Sequence, residues 1–169
     1  MTAENIILTG FMGTGKSTVG KLLAQRLQRP FTDTDALIVQ RDGRSIADIF
    51  AEDGEDTFRS WERTVALALA QQQGLIIATG GRLMLDEENA AALTASGRVF
   101  CLTADPQTIL NRIKDDEKRP LLNVPNLAER IALLLETRRD AYGRFPQIST
   151  EGKTAMQIAD EIVLAVGGL

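Results

Sequence analysis

Gly10-Phe11-Met12-Gly13-Thr14-Gly15-Lys16-Ser17 fills every position of the phosphate-loop pattern G-x-x-x-x-G-K-[ST]. Each fixed residue answers a need of a bound triphosphate. Gly13 and Gly15 let backbone N–H groups turn inward and approach phosphate oxygens with no Cβ in the way. Lys16 carries a positive charge to the β- and γ-phosphates, and the Ser17 hydroxyl can take a place on Mg2+. The flanking residues supply the setting such a loop requires. Ile6-Ile7-Leu8-Thr9 reads as a buried parallel strand, and Val19, Leu22, Leu23 and Leu27 fall at helical spacing beyond the loop. Strand, glycine turn and helix thus come in the order that aims a helix N-terminus at an anion. The segment implies a nucleoside triphosphate site.

The same alternation runs through the rest of the chain. Strands are expected at Ile6–Thr9, Pro30–Thr34, Leu75–Thr79, Val99–Thr103 and Gln147–Thr150, with helical patterns between them. Ser45-Ile46-Ala47-Asp48 and Thr154-Ala155-Met156-Gln157 resemble capping boxes. Asp105-Pro106 sets a capping acceptor before a proline at the first helical position, and Asn126-Leu127-Ala128-Glu129 opens a longer helix. Five strands joined by crossovers of this length imply an α/β fold: a five-stranded parallel sheet with helices on both faces.

At 169 residues the chain is expected to form a single domain, residues 1–169, with its own core. Its 44% apolar and 25% charged content is ordinary for a soluble globular protein. A formal net charge of −4 without a basic stripe argues against nucleic acid as a partner. No apolar run approaches a membrane span and the N-terminus lacks a signal-peptide pattern, so no membrane partner is expected. With no long apolar surface stripe, a monomer is expected. Cys101, the only cysteine, lies in an apolar run and reads as core, in a reducing cytoplasm. There is no histidine, so acid–base chemistry falls to carboxylates, lysine or water.

Several residues could serve an acceptor of the phosphoryl group. Asp33-Thr34-Asp35 ends the second strand, and in extended chain that spacing aims both carboxylates at one side of the sheet. One could hold Mg2+ through water while the other orients an acceptor hydroxyl; alternatively, Asp35 is a helix cap and Asp33 lies in a turn. Arg59 and Glu62 share a helix expected from about Asp56 to Gln72, either as a surface pair or with Glu62 aiming Arg59 at an anion. Arg138-Arg139 offers a second guanidinium fork. Thr79-Gly80-Gly81 either brings backbone close to a ligand or makes a plain turn. The charged stretch from Lys114 through Arg119 to Pro125 reads as a loop between helices, a solvated connection or a flap whose arginine closes on phosphates.

Together these pieces resemble the shikimate kinases, over nearly the whole chain. The resemblance is carried by the phosphate loop through Gly20, by Phe31-Thr32-Asp33-Thr34-Asp35, and by Phe58-Arg59 through Glu62. Ala78-Thr79-Gly80-Gly81, Arg119-Pro120-Leu121-Leu122, and Arg138 four residues before Tyr142 complete it. It implies a P-loop NTPase fold of the nucleoside-monophosphate-kinase-like kind, with a lid at about 114–125 and substrate-binding helices at about 36–73. It implies transfer of the ATP γ-phosphoryl group to the 3-hydroxyl of shikimate, on the route to chorismate and the aromatic amino acids. ATP would then lie on Gly13, Thr14, Gly15, Lys16, Ser17 and Thr18, with Arg119 reaching it from the lid. Ser17 and, through water, Asp33 would hold Mg2+. Asp35 would meet the ring hydroxyls, Arg59 and Arg138 would clamp the carboxylate, and Gly81 would offer backbone. Lys16, Asp35 and Arg119 would be catalytic.

The alternatives are a related kinase of the gluconate type or an inactive relative that binds ATP alone. A guanine-reading switch would need an Asn/Thr-Lys-x-Asp segment, which the chain lacks. The chain departs from the family pattern at Arg82, where a third glycine is usual. If that position needs φ > 0 the arginine is strained; if not, it adds positive charge near the site. A milder departure is Phe145-Pro146, which bears on how the last strand begins.

Overall fold

In the computed structural model, which describes residues 3–114 and 125–167, the first strand, β1 (Asn5–Thr9), is buried along its whole length. It lies between β3 (Ile76–Ala78) and β4 (Gly97–Thr103), with β2 (Phe31–Asp33) and β5 (Gln147–Ser149) at the two edges. The order is β2-β3-β1-β4-β5 and every neighbouring pair is parallel. Arg119 and all but the ends of the expected lid lie outside the described residues.

A strand sends successive side chains to opposite faces, so a sheet buried on both sides needs apolar residues at every position. Ile6 and Leu8 of β1, with Ile76, Phe100 and Leu102, pack under α1 (Lys16–Leu27) and α8 (Ala155–Ala165). Ile7, with Ile77, Val99 and Cys101, faces the other way. It meets α4 (Glu55–Ala70), α5 (Glu87–Ser96), α6 (Pro106–Ile113) and α7 (Leu127–Gly143). Two short helices, α2 (Thr34–Asp42) and α3 (Ile46–Asp53), precede α4, and both lend side chains to the cleft described below.

The expected helix starts are met by side chains in most cases. Ser45 accepts from the Asp48 N–H at 3.1 Å, and Asp105 from the Thr108 N–H at 3.0 Å with Pro106 at the first helical position. Thr154 and Gln157 form a full capping box. Asn126 differs: it takes a left-handed conformation (φ 59°) and gives no side-chain cap, a backbone region asparagine tolerates. Pro146 does not disturb the last strand, because it stands just before β5 begins at Gln147 and its carbonyl still accepts from the Cys101 N–H at 2.8 Å.

Candidate active site

The chain leaves β1 and wraps back on itself before α1. Gly13 (φ 78°) and Gly15 (φ 91°) both take the left-handed conformation, and a Cβ on Gly13 would stand 2.7 Å from Ile113 Cγ2. Thr14 is buried beneath the loop, its hydroxyl donating to the Phe11 carbonyl at 2.7 Å. The Lys16 ammonium donates to the carbonyls of Gly10 and Phe11 at 2.6 and 2.9 Å, which holds it across the loop. Arg112 of α6 donates to the Gly13 carbonyl at 3.0 Å and so braces the loop from outside. Nothing in the sequence pattern pointed to Arg112, because the contact joins residues 99 apart.

The acidic pair does not sit in extended chain. β2 stops at Asp33 and α2 begins at Thr34. Asp33, not Asp35, is the cap: its Oδ1 accepts from the N–H groups of Asp35 and Ala36 at 2.9 and 3.1 Å. Its Oδ2 accepts from the Ser17 hydroxyl at 2.7 Å. Hydroxyl and carboxylate side by side are hard oxygen donors of the kind Mg2+ takes. Asp35 comes one helical step later and lines the same cleft. There the glycines of the β3 end matter by their lack of side chain: a Cβ on Gly80 would lie 2.5 Å from Asp35 Oδ1. Gly80→Ala is therefore expected to displace the Asp35 carboxylate. Acceptor kcat/KM should fall by about 10- to 100-fold while the melting temperature stays nearly level, since only a flexible side-chain end must move. Steady-state kinetics beside thermal melts would check this.

A cleft of 630 Å³ brings most of the expected residues together. Gly13, Gly15, Lys16, Ser17, Thr18 and Asp33 line it together with Asp35, Arg59, Gly81 and Arg138. Arg59 donates to Glu62 and, at 3.1 and 3.3 Å, to Glu55 Oε1. Arg138 is only 6% exposed; its guanidinium lies 5.3 Å from the Phe11 ring, and its Nη1 has no hydrogen-bond partner among the described residues. Burial pushes its pKa down; the Tyr142 beside it acts the other way, while the charges of Arg82 and Arg59 add to the lowering. A buried, partly unpaired guanidinium among like charges is arranged for an anion. The second member of the expected fork does not line the cleft: Arg139 is exposed and pairs with Glu136. Tyr142, in the sequence only a marker of spacing, donates its hydroxyl to the Gly81 carbonyl and ties α7 to the β3 end.

Arg82 resolves the question of the missing glycine. Its φ is −111° and ψ −5°, an ordinary right-handed conformation before the 3₁₀ turn Leu83–Leu85, so the arginine carries no backbone strain.

Glu62 is 2% exposed, and burial pushes its carboxyl up from 4.5 to about 6 against the pull of Arg59. The raised value means that ionising Glu62 costs stability. The cost is absent below about pH 4.5, grows as pH rises, and reaches roughly 2 kcal/mol above pH 6. Glu62→Gln is thus expected to melt at or above the parent at pH 8. Its acceptor kcat/KM should still drop by about tenfold, because a neutral amide holds Arg59 less firmly. In the parent, the same parameter should decline as pH falls through about 6. Melts and pH–rate profiles of the two proteins would test both halves.

Over residues 12–166 the chain matches the family described as shikimate kinase. A shikimate kinase from Geobacter sulfurreducens is 45% identical over 164 residues, covering 96% of this chain and 91% of that protein. Shikimate kinase from Acinetobacter baumannii in complex with shikimate is a structural neighbour with a TM-score of 0.93. It is 35% identical and covers 98% of this chain and 93% of that one. A gluconokinase from Sinorhizobium meliloti shares the fold alone, with a TM-score of 0.61 at 17% identity over 98% of this chain and 92% of that one.

Proposed function

The chain belongs to the shikimate kinase family, and from that premise we propose that it moves the γ-phosphoryl group of ATP to the 3-hydroxyl of shikimate. The reading rests above all on one observation: Arg59, Arg138 and Asp35 meet in the same cleft as Lys16 and Ser17. Phosphoryl transfer asks the protein for alignment and charge neutralisation more than covalent chemistry. Lys16 places its charge on the β- and γ-phosphates, and Gly13, Gly15 and Thr18 shape the cradle around them. Thr14 supports that cradle from below. Ser17 and, through water, Asp33 would hold Mg2+, which when bound would supply positive charge to neutralise the phosphates.

At the acceptor end, Arg59 and Arg138 take the shikimate carboxylate, far from the reacting hydroxyl. Binding there serves positioning at the other side of the ring. Asp35 accepts a hydrogen bond from the ring hydroxyls and turns one toward the phosphate, and Gly81 adds backbone contact. The helices α2 to α4 form the acceptor-binding part of one domain spanning 1–169. Arg119, outside the described residues, is assigned to the nucleotide from a lid over 114–125.

We read the enzyme as a monomer of the cytoplasm. Among the described residues its exposed large apolar side chains, Val39, Leu67, Leu133, Met156 and Leu164, are scattered over four helices, and its single thiol is buried. Among the described residues no helix is long and apolar enough to cross a membrane.

The decisive experiment is product identification after mixing protein, Mg-ATP and shikimate, with gluconate in a parallel reaction. Shikimate 3-phosphate and ADP are expected. Turnover with gluconate alone, or ATP binding without transfer to shikimate, would overturn the reading.

A further inference from the structure

Arg82 occupies a position where the backbone makes no demand for glycine, and its side chain lines the acceptor cleft. Its Nη1 donates to Glu55 Oε1 at 2.8 Å. That one oxygen also accepts from Arg59, at 3.1 and 3.3 Å. Two guanidinium groups thus share a single carboxylate oxygen, and neither has it alone. Arg82 is also felt further in, since its charge lowers the pKa values of both Glu62 and Arg138. Its side chain is 44% exposed and Glu55 is 51% exposed, so the bridge between them is a weak fastening.

We propose that Arg82 is a third cationic arm of the acceptor site, which raises affinity for an anionic acceptor by its charge and takes no part in phosphoryl transfer. The inference rests on the acceptor reading above. For an assumed separation of about 7 Å between Arg82 and a bound carboxylate, and an effective dielectric of about 50 for the half-exposed setting, Coulomb's law gives a change in binding of roughly fivefold. Salt screens such an interaction, whereas it leaves a packing role untouched.

The test is steady-state kinetics with shikimate varied at saturating ATP, for the parent, Arg82→Gln, Arg82→Gly, Glu55→Gln and the Glu55→Gln/Arg82→Gln pair. Arg82→Gln and Arg82→Gly are expected to raise the shikimate KM by about fivefold at low salt, with kcat within about twofold and the ATP KM unchanged. The gap should close near 0.5 M salt, at about a 4 Å screening length. It should persist when Glu55 is already glutamine. An unchanged shikimate KM, a salt-independent effect, or a change in kcat alone would overturn the proposal. So would an effect that disappears in the Glu55→Gln background, since Arg82 would then act only as a fastener of Glu55. Parent protein that turns over shikimate while Arg82→Gln keeps the parental KM removes this inference alone; a parent inert toward shikimate removes both.

Discussion

Lys16→Ala is expected to lower kcat by about a thousandfold or more while the protein still folds. The lysine is the charged residue of the phosphate loop, and its ammonium already lies across the loop on the Gly10 and Phe11 carbonyls. Those bonds hold it poised for phosphate oxygens that replace or join the carbonyls. Losing them costs the fold about 1 kcal/mol each at most, because the freed carbonyls at the cleft can meet water. Lys16→Arg should rescue little: a planar fork cannot occupy a place made for a compact charge between two carbonyls. Coupled ADP release alongside thermal melts would decide. Retention of activity within tenfold of the parent would remove Lys16 from its role.

Arg138→Ala is expected to lower kcat/KM for shikimate by about 30- to 1000-fold, which corresponds to roughly 2–4 kcal/mol for loss of a bidentate partner of a carboxylate. The ATP KM should hardly move if Arg138 grips the acceptor as proposed, and equal loss for both substrates would count against the clamp. Stability carries a second, opposite signature. The Arg138 side chain is buried, its pKa is lowered by that burial, and its Nη1 has no partner among the described residues. Replacing it by methionine fills the space without the charge, so Arg138→Met should melt at or above the parent temperature while failing with shikimate. A variant that both melts lower and keeps its kcat/KM would show that Arg138 serves the fold and not the acceptor.

The parts of the molecule legible in the sequence are those whose chemistry is local. The phosphate loop reads directly because its glycines, lysine and serine act within eight consecutive residues. The two-faced sheet reads from apolar runs such as Ile6-Ile7-Leu8, which make sense only if both faces are covered. Asp33-Thr34-Asp35 was legible as a pair but not in its local geometry, because the strand ends one residue sooner than alternation suggests and the helix cap passes to Asp33. Arg59 with Glu62 was visible through helical spacing, whereas the raised pKa of Glu62 needs burial that only packing supplies. Arg112 on Gly13, Tyr142 on Gly81 and Arg82 on Glu55 were beyond reach for one reason. Each joins segments 27 to 99 residues apart, where periodicity carries no information.

Phe11 is part of the phosphate loop, yet its ring lies against Arg138 at the acceptor end. A Cβ added to Gly81 would likewise come within 3.9 Å of the Met12 nitrogen. Among the described residues, the two binding regions accordingly share a common floor. A single tethered compound, with a polyphosphate at one end and a hydroxylated ring acid at the other, would be gripped at both ends at once. Its second grip would form at the high local concentration that a short linker imposes.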